Sequence, residues 1–346
     1  MLDPVAQVDR DLSRILLLRV LGAQVVDSHL APLSLRRTFL VMALLAMPTM
    51  LAIAMPAPGG LSSPTGVTYV CWQAYYAMLI ISILLVARHA VGSAASATPD
   101  AVRSLTPTGW LHYFAWSERS GSLRHQWGSA VGGAGCSTLA IAALAHTSAR
   151  KVLYLGPSSY VMVCMAGALA GCALYWLVRG VMLGRSLSGP ENFELLWTMP
   201  ARTPAVEQLS RIFRLGFYVA SFAATLYSYP VLWLATRMPQ SNDLIIIVKF
   251  GFLGAAAIGT LSIGVLPQLW VSKTVAVARR ESIYRAAAAA ADESLTPTEF
   301  NSMASLLKSI ADTPASTIND RTVVGIIFGF VAAVGPGVVQ LMFRHG

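Results

Sequence analysis

Apolar residues in this chain come in long blocks rather than in alternation. Seven blocks reach the roughly twenty residues needed to cross the hydrocarbon of a bilayer: residues 38–57, 67–87, 127–146, 158–178, 213–236, 244–270 and 323–343. Backbone groups inside lipid must be satisfied within their own segment, so each block is predicted to be a helix. The third, "WGSAVGGAGCSTLAIAALAHT", is rich in small and polar residues. That composition suits a helix enclosed by other helices better than one facing acyl chains, so this span is expected to be buried.

Ahead of the first block, residues 1–35 place Val5, Val8, Leu12, Leu16 and Val20 at three- and four-residue spacing among Asp9, Arg10, Arg14 and Arg19. This predicts an amphipathic helix, lying either in the membrane interface or packed beneath the bundle. Asp3, Asp9, Asp11 and Asp27 make the segment too acidic for a cleavable leader, so the first block is expected to act as an uncleaved anchor.

After the sixth block the helical pattern continues past Pro267 through "VSKTVAVARRESIYRAAAAAADE", a stretch of high helix propensity. A second helix starts at Pro297, and together they predict a helical hairpin over 271–322. The pentapeptide Ser-Leu-Thr-Pro-Thr occurs at Ser104–Thr108 and again at Ser294–Thr298. In the second copy Thr296 is placed to cap a helix whose first residue is Pro297 and whose third, Glu299, completes a capping box. In the first copy Thr106 and Pro107 repeat the device, but Gly109 stands where the glutamate would be. Thr203 and Pro204 repeat it a third time. The repeat therefore marks helix starts, and Thr-Pro phosphorylation is the weaker reading.

Composition agrees with the blocks: 55% of the 346 residues are apolar, only 12% are charged, and mean hydropathy is +0.60. A water-soluble chain carries about a quarter charged residues. The fold class expected is an all-α polytopic membrane protein of about seven transmembrane helices. Its divisions are 1–35 amphipathic segment, 36–270 six-helix transmembrane region, 271–322 hairpin, and 323–346 seventh helix with a short tail.

Lysine and arginine orient this bundle. With the N-terminus inside, segments 1–37, 88–124, 179–214 and 271–321 hold 20 of the 25, whereas the opposite side holds only Arg150, Lys151, Arg237 and Arg344. The bias predicts a cytoplasmic N-terminus, an outer C-terminus and a plasma or inner membrane location. The net charge of +9 has the same cause. Spread over every inner connection without an aromatic platform, it points to anionic lipid head groups rather than nucleic acid.

Candidate chemistry is sparse. Tyr218, Ser221, Thr225 and Ser228 form one polar stripe along the fifth block, which can line a water-filled path or bond helices together. Lys249 lies within the sixth block, where a cation is either functional or snorkels outward. Glycine pairs Gly128 and Gly132, Gly167 and Gly171, Gly180 and Gly184, and Gly325 and Gly329 permit close helix approach.

Cys71, Cys136, Cys164 and Cys172 lie in apolar segments without metal or redox spacing, so neither a disulfide nor a zinc site is expected. Histidines stay outside the blocks or at their ends. His112 with Glu118 and His125, or Glu191 with Glu194, have spacing too loose for a metal site. No hydrolase, zinc-protease, nucleotide-loop or dinucleotide motif is present. No enzyme, cofactor or metal is expected.

The leading expectation is an oligomeric ion channel or pore-like protein gated through the 271–322 hairpin, the largest extramembrane element. Two alternatives stay open: a non-conducting membrane sensor or interaction protein with a cytoplasmic protein partner, and a transporter of a small or lipidic solute.

Overall fold

The computed structural model describes residues 25–26, 29–30, 35–54, 64–145, 157–237, 243–291 and 296–313, with helical residues at 323–325, 327–328, 331 and 335. The architecture is all-helical. The one exception is an antiparallel pair of two-residue strands, β1 (Val25–Val26) and β2 (His29–Leu30), with Val25 opposite Leu30 and Val26 opposite His29. The helix expected over the first twenty residues lies outside the described residues.

Eight helices follow: α1 (Leu35–Ala54), α2 (Pro64–Arg103), α3 (Pro107–Ser120), α4 (Leu123–Ala145), α5 (Pro157–Ser186), α6 (Pro204–Arg237), α7 (Asp243–Ala290) and α8 (Pro297–Asp312). Five of them, α3, α5, α6, α7 and α8, begin at or within two residues of an expected start, and proline occupies the first turn of α2, α3, α5, α6 and α8, where its missing N–H costs nothing. Among the described residues three stretches are long and apolar enough to cross a membrane: Gly66–Val86 in α2, Ser159–Ser186 in α5 and Ala257–Ala290 in α7. At about 1.5 Å per residue, the 48 residues of α7 extend about 72 Å, more than twice the hydrocarbon thickness. A helix of that length, with Pro267 inside it, is too long to be held within the hydrocarbon alone.

Helix α5 is central, touching α1, α2, α3, α4, α6 and α7, while α6 lies between α2 and α7. Ile80, Leu84, Met162 and Phe217 are fully buried where these helices meet. Proline explains one contact across α2 and α6. Pro230 lacks the N–H that would bond the carbonyl of Leu226 one turn earlier, and the Tyr75 hydroxyl of α2 donates to that carbonyl instead. Between α6 and α7, Ser210 Oγ donates to Gln268 Oε1 at 2.9 Å and Gln268 Nε2 donates to the Ser210 carbonyl at 2.9 Å. Gln268 is thereby satisfied in a fully buried position.

Helix α4 differs from expectation. It packs chiefly on α5, and Trp127, Val131 and Leu139 face outward, with Leu139 72% exposed. The reason is the placement of its glycines. A Cβ on Gly133 would overlap the Gly167 carbonyl, one on Gly167 would lie 2.6 Å from the Gly133 carbonyl, and one on Gly171 would overlap the Ser129 carbonyl. Ser129 Oγ donates to the Gly171 carbonyl at 2.7 Å. Only that face approaches another helix closely. Gly128, Gly132 and Gly135 lie off the seam, with nothing within 4 Å of a Cβ built on them.

The glycines of the other expected pairs are placed separately. Gly184 sits against Phe213 and Pro267, at 3.1 Å and 3.2 Å from a Cβ built on it, whereas Gly180 has nothing within 4 Å. A Cβ on Gly325 would lie 2.5 Å from the Tyr218 hydroxyl of α6. Gly329 lies outside the described residues. All four cysteines are free thiols.

Candidate functional site

Connections that the charge pattern assigned to a single side meet in a single hydrophobic cluster. Leu105 and Tyr113 come from 88–124, Leu187, Phe193, Ala205, Val206, Leu209 and Phe213 from 179–214, and Val271 and Val275 from α7. This layer is more than a connection. It is a second packed element beside the hairpin expected over 271–322.

The first Ser-Leu-Thr-Pro-Thr copy is the piece that builds it. Thr106 caps α3, accepting from the Gly109 N–H at 3.2 Å. It also binds the 190–194 segment through its own N–H, which donates to the Asn192 carbonyl at 3.1 Å, and its hydroxyl, which donates to the Glu191 carbonyl at 2.5 Å. The Glu194 N–H donates to the Ser104 carbonyl at 2.8 Å, completing an isolated bridge between Leu105 and Phe193. Gly109 replaces the expected glutamate for a steric reason, since a Cβ there would overlap the Asn192 carbonyl oxygen.

In the second copy no segment among the described residues lies over the third position of α8, where Glu299 is exposed. Glu299 therefore closes a full capping box with Thr296. The hydroxyl and N–H of Thr296 donate to its carboxylate and hold that carboxyl below the usual glutamate value. Thr203 uses its hydroxyl differently, accepting from the Leu196 N–H at 3.0 Å, which folds the loop back onto the start of α6.

Two further clamps hold the layer on the helices. Trp116 Nε1 donates to the Arg179 carbonyl at 2.7 Å, Arg179 Nε to Ser120 Oγ at 2.8 Å, and the Tyr175 hydroxyl to the Ser120 carbonyl at 2.9 Å. Trp110 and Trp116 thus pack on the core of this layer. Arg279 on α7 donates to the Ile310 and Ala311 carbonyls, closing the C-terminal end of α8 with a cation, as a helix terminus favours.

Between the α5–α6 connection and α7 lies a cleft of about 330 Å³. Its outer wall is formed by Pro190, Glu191, Phe193, Leu195, Trp197 and Pro200, and its inner wall by Ala278, Glu281, Ser282 and Arg285. The first wall runs from the 3-10 turn Pro190–Asn192 through the bridge residue Phe193 to a second 3-10 turn, Pro200–Arg202, and Phe193, Leu195 and Trp197 line the cleft from it. The second is helical and presents positions i, i+3, i+4 and i+7. Arg285 pairs with Glu281 one turn back. Ser282 is buried and spends its proton on the Ala278 carbonyl at 2.9 Å. Gly189 leaves room for the Glu191 carboxylate, which would overlap a Cβ at that position.

The residues singled out from sequence lie elsewhere. On α6, Ser221 is buried and its Oγ has no hydrogen-bond partner among the described residues, Thr225 Oγ1 donates to the Ser221 carbonyl at 2.9 Å, and Tyr218 is 48% exposed beside Gly325. The polar stripe is therefore divided between an inward and an outward edge. Ser228 belongs to α6 and Lys249 to α7, with side chains outside the described residues. His112 Nδ1 lies 3.0 Å from Asn192 Oδ1, and no group of three metal-ligating side chains occurs among the described residues.

Sequence reasoning missed the cleft because its two walls are 78 or more residues apart. The readable signal was the alternation Phe193, Leu195, Trp197 in a segment too short to be a span. Comparison with protein families, with curated proteins and with solved structures yields no match.

Proposed function

We propose that the chain is a seven-span protein of the plasma or inner membrane, N-terminus inside, that senses a ligand in the cytoplasmic cleft and passes its occupancy to the spans. One observation carries this reading: the inner wall of the cleft, residues 278–285, is the charged C-terminal part of α7, which continues past Pro267 in one helix from the apolar block 244–270. A ligand that wedges the 190–200 segment away from Ala278 and Ser282 pushes on a rod whose far end is in the membrane. Stiffness of the helix does the coupling, and the clamps at Arg179 and Arg279 give the layer a fixed base against which to push.

The test fills the cleft without a ligand. In the full chain, freed of native cysteines and placed in nanodiscs, spin labels at residues 234 and 244 report the separation of α6 and α7 at the opposite end. Ala278→Trp shifts that distance distribution on this reading. An unchanged distribution, with the variant folded, overturns it. For the orientation, a reporter active only in the cytoplasm works after Ala291 and fails after Gly346.

Conduction by an oligomer along α6 is the second reading, favoured by Ser221. A buried hydroxyl left unpaired costs about 1–3 kcal/mol unless water supplies the bond. Cysteines at 221 and 225 then react with small hydrophilic thiol reagents while one at 226 does not, and Lys249→Glu reverses the ion preference of a reconstituted bilayer. Equal labelling at all three positions together with no ion flux sinks it. Anionic lipid is the partner proposed for the arginine-rich face.

A further inference from the structure

The lining of the cleft specifies a class of ligand, an inference that rests on the sensing reading above. Three charged side chains face it: Glu191, Glu281 and Arg285. Glu281 and Arg285 form an ion pair and cancel. Among the described residues Glu191 has no cationic partner, so the described lining carries one uncompensated negative charge in a chain whose net charge is +9 and whose surrounding connections hold most of the arginines. A single acidic spot in a basic surface repels other anions poorly but concentrates a cation, because field lines are focused within a concave, low-dielectric wall.

Hydrogen-bonding capacity has the same sign. Ser282 is buried and its proton is already committed to the Ala278 carbonyl, so the oxygen can only accept from the cleft. The Glu191 carboxylate is likewise an acceptor. The guanidinium of Arg285 is the donor, and it is engaged by Glu281. Opposite Ser282 and Arg285, and on the same wall as Glu191, stand Phe193, Leu195 and Trp197, the last 51% exposed. An aromatic face beside an acceptor-rich floor suits a positive charge attached to an apolar body, through cation–π attraction and area burial together. A volume of about 330 Å³ is at the small end of ligand sites, so the ligand is small.

We propose that the cleft between the 190–200 segment and α7 binds a small organic cation with an aromatic or aliphatic body, its charge against Glu191 and its apolar part against Trp197 and Phe193.

The experiment titrates the full chain, in nanodiscs of zwitterionic lipid, with three probes by calorimetry against empty nanodiscs: benzyltrimethylammonium, tetramethylammonium and phenylmethanesulfonate. The expected result is saturable binding of the first, weaker binding of the second and none of the third. Glu191→Gln weakens benzyltrimethylammonium tenfold or more, Glu191→Asp retains it within a few-fold, and Trp197→Leu weakens it several-fold. Both positions, Glu191 and Trp197, are exposed, so an unchanged unfolding temperature is expected and is measured alongside. Equal affinity in the wild type and every variant places the cation elsewhere and overturns the proposal. Preference for the sulfonate, lost in Trp197→Leu, overturns the charge assignment while leaving the cleft as a site. Absence of binding by all three probes overturns the cation proposal, and the Ala278→Trp distance measurement then decides the sensing reading independently.

Discussion

Replacing Gly109 with alanine puts one methyl group into the tightest point of the layer that forms the cleft. A Cβ at 109 would overlap the Asn192 carbonyl oxygen and lie 3.0 Å from its carbon and 3.2 Å from its Cα. These are backbone atoms, which cannot rotate aside as a side chain would. The 190–194 segment must lift, and two backbone bonds go with it: Thr106 N–H to Asn192 at 3.1 Å and Glu194 N–H to Ser104 at 2.8 Å. Overpacking of this kind costs about 1–3 kcal/mol, and each lost bond about 0.5–1.5 kcal/mol where the segment releases fully. Alanine returns at most about 1 kcal/mol in helix propensity.

The net expectation is a destabilisation of about 1–3 kcal/mol, with the 187–203 connection becoming a site of proteolytic cleavage. Gly128→Ala is the internal control, since its Cβ meets nothing within 4 Å and should be neutral or slightly stabilising. Thermal unfolding in mild detergent and limited proteolysis read both variants. If Gly109→Ala unfolds with the wild type and its connection is cut no faster, the docking of 190–194 on α3 is not as described.

Three other outcomes follow from particular contacts. Tyr75→Phe removes the donor to the Leu226 carbonyl that Pro230 cannot serve, and should cost about 1–3 kcal/mol of stability, whereas the same change at the half-exposed Tyr218 should cost less than half as much. Gly133→Leu should separate α4 from α5, measured as loss of a cross-link between the two, while Gly132→Leu should leave that cross-link intact. Thr296→Ala should loosen the start of α8 by about 1 kcal/mol at neutral pH. Thr296 holds the Glu299 carboxyl below its usual value, so the carboxylate half of the box is fully present above the ordinary glutamate pKa and is lost as pH falls through the lower folded value, while the bond from the Glu299 N–H to Thr296 Oγ does not titrate. Amide exchange at 297–300 should therefore differ between wild type and variant at neutral pH and differ less in acid.

What the sequence determined by itself was whatever depends on a single segment. Apolar runs long enough to cross a bilayer, prolines in first turns, the Thr296–Glu299 box and the continuation of α7 past Pro267 are local, because hydrogen bonds and propensities within about four residues decide them. Tertiary structure decided the rest. Composition could not say that the small residues of α4 form a seam on one face only, because the partner carbonyls at Gly167 and Gly171 are contributed by α5. Nor could it say why Gly109 breaks the pattern of the second pentapeptide, since the obstructing atom belongs to Asn192. The polar stripe on α6 was legible as a periodicity, but which of its edges turns inward depends on where α2, α7 and Gly325 lie. The cleft was least legible of all: Glu191 and Trp197 stand near Glu281 and Arg285 only because α3 anchors the 190–194 segment and α7 is long enough to reach it. Contacts between distant segments carry no local signature, and a binding cleft is made of nothing else.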